Sequence, residues 1–328
     1  MMLAKNATTL GLPGWVDLQV NGFAGVDFNA PDLTPEMFAH AVQALSERGT
    51  AAFCPTLITG EPATVCRNLA LMSAVARQDG RIGERILGFH LEGPFISPQP
   101  GAVGAHDRRW VCAPDTRLFD RLMDAAGGRV RVLTLAAELP GAAELTRYAV
   151  SKGVTVSCGH QMAHTPEQLA VLADAGATAL THLGNGLPNM LPRHDNVIWA
   201  GLAEERLAVM FIPDGHHLPR HLLKVMIRAA GISRLVAVSD ASHPAGLPPG
   251  RYRVLDNDAV LEANGRLHNP DKGCLVGSSV TLGQALEVVR ALGLGLSDDD
   301  LARIGFWNPL RLIRHDPQTI PPCATRSD

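Results

Sequence analysis

The sequence predicts a (β/α)8 (TIM) barrel, on three observations. The chain of 328 residues is long enough for one α/β barrel of ordinary size. Short runs of Val, Leu, Ile, Thr and Ala without polar alternation, typical of strands buried on both faces, alternate with amphipathic stretches. There is no G-x-G-x-x-G fingerprint, which the rival doubly wound open sheet often carries near its start. The eight predicted strands are Trp15–Val20, Ala51–Leu57, Ile86–Glu92, Val130–Ala136, Val154–His160, Thr178–His182, Ala208–Ile212 and Leu235–Asp240.

Helix signals fill the gaps between these strands. Thr34-Pro35-Glu36 is typical of a helix start, and Gly49 lies where a C-terminal glycine belongs. Thr165-Pro166-Glu167 repeats the start signal. A β-hairpin insertion is predicted near 250–268, and we treat residues 1–328 as a single catalytic domain. The other predicted helices cover about 61–78, 116–126, 141–152, 195–206, 219–230, 282–292 and 298–304.

Composition excludes several classes of protein. The chain is 46% hydrophobic, and 29 Lys and Arg against 32 Asp and Glu leave a net charge of -3. This balance argues against disorder and against nucleic-acid binding, which usually needs a basic patch. We find no membrane segment and no secretory signal. The six cysteines are scattered without a C-x-x-C pair, which favours free thiols and a cytoplasmic location.

Five of the predicted strands end in residues that can bind a metal ion or move a proton. In a (β/α)8 barrel all the carboxyl ends of the strands meet at one rim, so residues distant in sequence become neighbours there. Two histidines, a glutamate and an aspartate at such a rim suit a divalent metal such as Zn²⁺ together with a general base. The residues are Gln19 and Asn21, His90 and Glu92, His160, His182, and Asp240.

Nine short motifs occur in a fixed order along the chain. They are GWVDLQVNG (14–22), PTLIT (55–59), HLEGPFIS (90–97), GAH (104–106), SCGH (157–160), THLGNGLPNM (181–190), PDGHHL (213–218), VSDA (238–241) and GSSVTL (277–282). Together they resemble the N-acetylglucosamine-6-phosphate deacetylases of the amidohydrolase superfamily. The resemblance covers about residues 14–312 and implies the barrel of the metal-dependent amidohydrolase type. It also implies hydrolysis of the acetamide of N-acetylglucosamine-6-phosphate to glucosamine-6-phosphate and acetate.

Carried over residue by residue, the resemblance assigns roles. Glu92, His160 and His182 match metal ligands, and Asp240 matches the catalytic carboxylate. The aspartate would take a proton from water and return it to the departing amine. His106 would help to stabilise the oxyanion. The substrate-contacting residues that it implies are His106, Asn185, Gly186, Arg193 and His217.

Strand one bears on the metal number. Many amidohydrolases hold a second metal there with H-x-H, but this chain has Gln19-Val20-Asn21. Amides are poor ligands beside imidazole, so we expect one divalent metal per chain, Zn²⁺ first and Fe²⁺, Co²⁺ or Mn²⁺ as alternatives. Gln19 and Asn21 either contact the substrate or only hydrogen-bond the rim. Arg193 implies a homodimer, because in the family the matching arginine reaches the substrate phosphate across a dimer interface.

The chain departs from the family pattern in three places, which keeps other functions open. The small β-sandwich domain of the family is not expected here. Arg193-His194-Asp195-Asn196 stands in place of R-E-P-G, and Asn185-Gly186-Leu187 stands where alanine and methionine are usual. The last two departures lie in segments that, in the family, line the side of the pocket that binds the 6-phosphate. A solvated surface residue is therefore the alternative to a phosphate-binding role for Arg193. An amidohydrolase acting on a non-phosphorylated acylamino substrate, or a catalytically silent sugar-phosphate binding protein, therefore remains an alternative.

Overall fold

A computed structural model describes residues 7–254, 257–271 and 273–324. Eight parallel strands form one sheet in sequential order, with helices between them, so the predicted barrel is confirmed. Nearly every residue of these strands is buried, as their position between an inner core and an outer helical layer requires. They are β1 (Trp15–Val20), β2 (Thr50–Ile58), β3 (Phe89–Glu92), β4 (Val130–Leu135), β5 (Thr155–Cys158), β6 (Ala179–Leu180), β7 (Ala208–Phe211) and β8 (Leu235–Ala237).

The barrel closes between its first strand and the segment that follows β8. Val20 forms a parallel bridge with Ala241. The Asp240 N–H donates to the Gln19 carbonyl at 3.0 Å, and the Asn21 N–H donates to the Ala241 carbonyl at 2.8 Å. This seam places the predicted polar ends of strands one and eight side by side.

The helices begin and end close to their predicted limits. Thr34 caps α1 by accepting the Met37 N–H, and Thr165 forms a capping box with Gln168 at the start of α5. A one-turn helix at Gly80–Gly83 follows α2, and a π-helical turn at Arg303–Trp307 joins α9 to α10. The helices are α1 (Pro35–Glu47), α2 (Pro62–Gln78), α3 (Thr116–Ala125), α4 (Ala142–Ser151), α5 (Pro166–Asp174), α6 (Val197–Ala203), α7 (Arg220–Ala230), α8 (Leu282–Arg290), α9 (Asp298–Ala302) and α10 (Asn308–Leu312).

Several strands are shorter than the apolar runs that predict them. Gly88 has φ +134, and a Cβ there would lie 2.2 Å from Arg131 Cγ, so the run from Ile86 is interrupted before β3 begins at Phe89. At the other ends, His160, His182 and Asp240 have φ of 49°, 28° and 50°. A left-handed residue leaves the extended backbone, so β5, β6 and β8 stop before these three side chains.

The region of the predicted hairpin contains four antiparallel strands rather than two. They are β9 (Gly250–Val254), β10 (Asn257–Leu261), β11 (Leu267–Asn269) and β12 (Cys274–Leu275). The last strand falls in the stretch 273–281, whose glycines and serines predict a turn. Its two residues are too few to show the alternation that predicts a strand. Five buried side chains form a small second core, against which Ala105 packs, so this sheet lies beside His106. They are Val254, Ala259, Leu261, Leu267 and Val276.

Two further expectations concern the chain as a whole. All six cysteines are free thiols, as their spacing predicts. Across the described ranges, every helix is too short or too polar to cross a bilayer.

Candidate active site

Three side chains from β3, β5 and β6 meet at the carboxyl ends of the barrel strands. Glu92 is the last residue of β3, while His160 and His182 follow β5 and β6 by two residues each. Glu92 Oε1 lies 3.0 Å from His160 Nε2 and 2.8 Å from His182 Nε2. All three residues are buried, with relative exposures of 2%, 6% and 3%. The structure therefore brings together the ligand set implied by the sequence.

The orientation of His160 leaves a lone pair directed at the carboxylate. His160 Nδ1 lies 2.7 Å from the Ala102 carbonyl, which can only accept a hydrogen bond. The proton of a neutral ring is therefore on Nδ1, and Nε2 faces Glu92 with its lone pair. Fixing one ring nitrogen through a backbone carbonyl is how metal-binding histidines are usually oriented.

Two glycines make room for the His160 ring. A Cβ at Gly104 would lie 3.1 Å from His160 Cε1, and a Cβ at Gly186 would lie 2.8 Å from His160 Nδ1. Both glycines also have positive φ, 58° and 61°. The loops that carry them close over the ring in a way that larger residues would prevent.

The electrostatics of this trio keep the carboxylate ionised. Burial opposes ionisation of Glu92, but the close approach of the His160 and His182 rings to its carboxylate outweighs burial and holds the pKa of the carboxyl well below its usual range. Burial also disfavours a charged His182, yet the hydrogen bond with Glu92 raises the pKa of its ring overall. His182 Nδ1 is buried and has no hydrogen-bond partner among the described residues.

His106 lies beside this trio, with its ring centroid 4.3 Å from that of His160. The Thr59 N–H, which follows β2, donates to His106 Nδ1 at 3.3 Å, and the Thr59 hydroxyl lies 2.9 Å from the same atom. A backbone N–H can only donate, so Nδ1 accepts and the proton of the ring is on Nε2. Burial, with His160 adding to it, lowers the pKa of His106 to about 3 and keeps the ring neutral. Thr59 has no chemistry of its own in the sequence, and its contact could not be predicted.

The residues present fit a divalent cation. Ligand atoms of Glu92, His106 and His160 all lie within 4.8 Å of one another, and His182 Nε2 reaches the same Glu92 oxygen. His106 and His182 are therefore the two candidates for a third ligand beside Glu92 and His160. His182 is the better candidate, because its Nε2 lies 2.8 Å from Glu92 Oε1, whereas the neutral His106 ring has Nδ1 occupied by Thr59 and its proton on Nε2. A carboxylate and two imidazoles form a donor set that suits Zn²⁺ and leaves a coordination position open.

Asp240 faces the site from the seam of the barrel. Its Oδ1 accepts hydrogen bonds from Asn21 Nδ2 at 2.7 Å and from Gln19 Nε2 at 3.2 Å. Burial, reinforced by the negative charge of Glu92, raises the pKa of Asp240 to about 6. Such a carboxylate is a stronger base than an exposed one and is still ionised at neutral pH. The two amides thus hold the Asp240 carboxylate, and their oxygens are buried without a partner among the described residues.

His217 is oriented by Asp214, which follows Pro213 at the start of the PDGHHL motif. His217 Nδ1 lies 2.7 Å from Asp214 Oδ2, and both side chains are buried. Asp214 Oδ1 also accepts the N–H groups of His216 and His217, so it caps the turn as well. These bonds outweigh burial and lower the pKa of Asp214. His217 therefore donates from Nδ1 to the Asp214 carboxylate. In the sequence, the three-residue spacing of Asp214 and His217 in the DGHH motif is the only signal of this pairing.

Comparisons with known proteins agree with this geometry. No protein-family model matches the chain. It is 30% identical over 307 residues to an N-acetylgalactosamine-6-phosphate deacetylase of Escherichia coli O157:H7, covering 93% of this chain and 78% of that protein. It is 31% identical over 315 residues to the N-acetylglucosamine-6-phosphate deacetylase of Bacillus subtilis (strain 168), covering 94% of this chain and 76% of that protein.

The chain belongs to the N-acetylglucosamine-6-phosphate deacetylase family. It is thus a hydrolase of the amidohydrolase type. A solved structure of a mutant N-acetyl-D-glucosamine-6-phosphate deacetylase from Mycobacterium smegmatis, in complex with N-acetyl-D-glucosamine-6-phosphate, is similar with a TM-score of 0.83. The two are 30% identical, and the match covers 93% of this chain and 78% of that one.

The loop after β6 carries the remaining residues that the resemblance to this family implies. Asn185 donates from Nδ2 to the His182 carbonyl at 3.2 Å, and Gly186 lies against His160. Arg193 is exposed farther along the loop, where its carbonyl accepts the Trp199 Nε1–H. Within this single chain, the structure brings Asn185 and Gly186 to the site and leaves the Arg193 side chain at the surface.

Proposed function

We propose that this chain hydrolyses the acetamide of N-acetylglucosamine-6-phosphate to glucosamine-6-phosphate and acetate. The observation that carries the proposal is the meeting of Glu92, His160 and His182 near the half-buried carboxylate of Asp240. Membership of the family supports the choice of substrate. A silent sugar-phosphate binding protein would have no need of a carboxylate base held by two amides.

The proposed metal site consists of Glu92, His160 and His182 and holds one divalent ion per chain, Zn²⁺ in first place. Such an ion supplies Lewis-acid polarisation and lowers the pKa of water at the site. His160 is fixed for this role by the Ala102 carbonyl, and the low pKa of Glu92 provides the negative charge. Elemental analysis after gentle purification should find one tightly held ion per chain; two would contradict the ligand assignment.

Asp240 acts as the general base and then the general acid. It takes a proton from the attacking water while the water oxygen adds to the acetamide carbonyl carbon. It then returns that proton to the amine nitrogen as the C–N bond breaks. The hydrogen bonds from Gln19 and Asn21 aim the carboxylate throughout.

His106 stabilises the charge that develops on the carbonyl oxygen. Its Nδ1 is occupied by Thr59, so its Nε2–H is available to donate. His217, Asn185 and Gly186 contact the sugar, and Asp214 holds the His217 ring for that contact. The orphaned oxygens of Gln19 and Asn21 offer acceptors to the same substrate.

The substrate phosphate is bound by Arg193 of a second copy of this chain in a homodimer. Arg193 is exposed, and exposed apolar side chains lie on its own loop and on the nearby helices α5, α6 and α7. Apolar side chains at such a surface suit an interface between subunits. These exposed residues are Met190 at 88%, Val171 at 52%, Trp199 at 47% and Val225 at 45%.

We propose that residues 1–328 form one catalytic domain working in the cytoplasm.

The substrate is tested by measuring acetate release from four compounds with one enzyme preparation. N-acetylglucosamine-6-phosphate should be the best substrate, and N-acetylglucosamine should be poor. N-acetylgalactosamine-6-phosphate is included because a relative of equal similarity bears that name. An acylamino compound without a sugar ring completes the set. Equal rates with and without phosphate would favour the broader acylamino substrate class, and no release from any compound would favour the silent binding protein.

A further inference from the structure

A chain of hydrogen bonds runs through the barrel interior directly beneath the proposed metal site. Ser157 Oγ lies 2.6 Å from Thr181 Oγ1, which lies 2.7 Å from Thr134 Oγ1. Thr134 Oγ1 lies 2.8 Å from His90 Nε2, and His90 Nδ1 lies 3.0 Å from the Leu18 carbonyl. We call Ser157, Thr181, Thr134 and His90 the hydroxyl chain. Its members are fully buried, with Thr181 the most exposed at 3%.

The chain has a single consistent direction when its ring is neutral. The Leu18 carbonyl can only accept, so the proton of His90 is on Nδ1 and Nε2 accepts from the Thr134 hydroxyl. Thr134 then accepts from Thr181, and Thr181 accepts from Ser157. Every hydroxyl proton has an acceptor, so the buried polar network is satisfied from end to end.

This network connects the strands that carry the proposed ligands. His90 lies two residues before Glu92 on β3, on the same face of the strand. Thr181 directly precedes His182, and Ser157 lies on β5 three residues before His160. The Leu18 carbonyl is on β1, where the register with β2 is irregular between Asp17 and Val20. One set of hydrogen bonds therefore links β1, β3, β4, β5 and the end of β6.

The same layer supports backbone that is held in an unfavourable conformation. His160 and His182 both have left-handed φ, which is rare for a residue with a side chain and persists only when neighbouring contacts hold it. Gly159 precedes His160, and a Cβ there would lie 2.6 Å from Thr181 Cβ and 2.9 Å from Thr134 Cγ2. The absent side chain at Gly159 is what lets these two threonines close up against the strand that carries His160.

We propose that the hydroxyl chain is a positioning device that sets the separation of Glu92, His160 and His182 for metal binding. The inference rests on the proposed metal site. Thr181 is the central member, because it is bonded on both sides and is joined by one peptide bond to His182. Removing its hydroxyl leaves the proton of Ser157 without its oxygen acceptor and frees the His182 backbone to relax. Partners that orient metal ligands typically change metal affinity by about 10- to 100-fold.

The test is Thr181→Val, which removes the hydroxyl and keeps a β-branched side chain of the same shape. We expect the apparent Kd for Zn²⁺, measured by competition with a chelator, to rise roughly 10- to 100-fold. The visible spectrum of the Co²⁺-loaded variant should also change, because the geometry of the ligands changes. Thr181→Ser keeps the hydroxyl, so its apparent Kd for Zn²⁺ should lie within a few-fold of the parent's and its Co²⁺ spectrum should match the parent's. Thr134→Val provides a second removal in case Thr181→Val fails to fold.

Two controls separate positioning from general loss of stability. Thr50→Val removes a buried strand hydroxyl that has no partner among the described residues, and it should leave Zn²⁺ affinity unchanged. Leu145→Ala, in the core face of α4, should lower the free energy of unfolding without changing the Co²⁺ spectrum. If Thr181→Val binds Zn²⁺ as tightly as the parent, the inference is wrong. It is also wrong if Thr181→Val, like Leu145→Ala, lowers the free energy of unfolding but leaves the Co²⁺ spectrum unchanged. If the parent itself binds no Zn²⁺ stoichiometrically, the proposed metal site fails instead.

Discussion

Replacing Asp240 with asparagine tests the base most directly. Asparagine has nearly the same volume, and its amide oxygen can still accept from Gln19 Nε2 and Asn21 Nδ2. Glu92, His160 and His182 are untouched, so the variant should fold and bind metal like the parent. What it loses is the ability to take up a proton.

The size of the expected effect follows from the position of this carboxylate. Burial and the charge of Glu92 raise the pKa of Asp240 to about 6, which brings the base close to the pH at which it must work. Loss of a general base costs roughly 10²- to 10⁴-fold in rate, equivalent to about 3 to 5 kcal/mol in the barrier. Because the same group also returns the proton to the amine, we expect kcat to fall at the upper end of this range.

The assay is acetate release from N-acetylglucosamine-6-phosphate, with metal content measured on the same samples. Asp120→Asn is a matched control, because Asp120 is a hydrogen-bonded carboxylate on α3 that accepts from the Tyr148 hydroxyl. It should retain near-parental kcat. An Asp240→Asn variant with full metal content and activity within a few-fold of the parent would remove Asp240 from the mechanism.

Three further predictions follow from single residues. Arg193→Ala should raise KM for the 6-phosphate sugar by roughly 10- to 100-fold and leave N-acetylglucosamine unchanged, whereas equal responses would contradict phosphate binding. Mixing these chains with Asp240→Asn chains should restore part of the activity if the arginine is supplied by the partner. Asp214→Asn should lower kcat/KM about 10- to 100-fold at unchanged metal content, because His217 loses its orientation; an unchanged value would make Asp214 a turn cap only. Burial raises the pKa of Asp17 from 3.8 to about 7, so the native state retains a proton that the unfolded chain releases as pH rises between these values. Its contribution to the free energy of unfolding should therefore be present below pH 4 and fall by on the order of 4 kcal/mol by pH 8. The test is to measure the free energy of unfolding of Asp17→Asn and of the parent between pH 4 and pH 8. A difference between the two proteins that does not change with pH would refute the prediction.

The fold could be predicted because parallel strands leave a strong local signal. Apolar runs and helix caps located all eight barrel strands to within a few residues. The errors lie where a single backbone conformation overrides composition. Gly88 interrupts the run before Phe89, and Cys274–Leu275 forms a strand only by pairing with β11.

The candidate site was predictable to the extent that the barrel rule applies. That rule places strand ends together, so Glu92 and Asp240 could be paired across the sequence. Contacts that involve backbone atoms from distant loops left no such signal. The Ala102 carbonyl that orients His160 is 58 residues away from it, and Thr59 is 47 residues away from His106. The Ala102 contact uses only a backbone carbonyl, and the Thr59 contact uses a backbone N–H as well as the hydroxyl, so neither residue type marks the contact in the sequence.

The backbone at the rim shows why these positions differ from ordinary turns. His160, His182 and Asp240 each carry a side chain in the left-handed region, where a residue other than glycine costs about 1 to 3 kcal/mol. Glycine would relieve that cost at each position, but it would remove the group that we propose binds metal or accepts a proton. Folding stability and chemistry are therefore opposed at these three residues. The three left-handed residues lie two or three positions beyond the ends of β5, β6 and β8, so the departure from extended backbone falls at the carboxyl rim of the barrel, where their polar side chains lie.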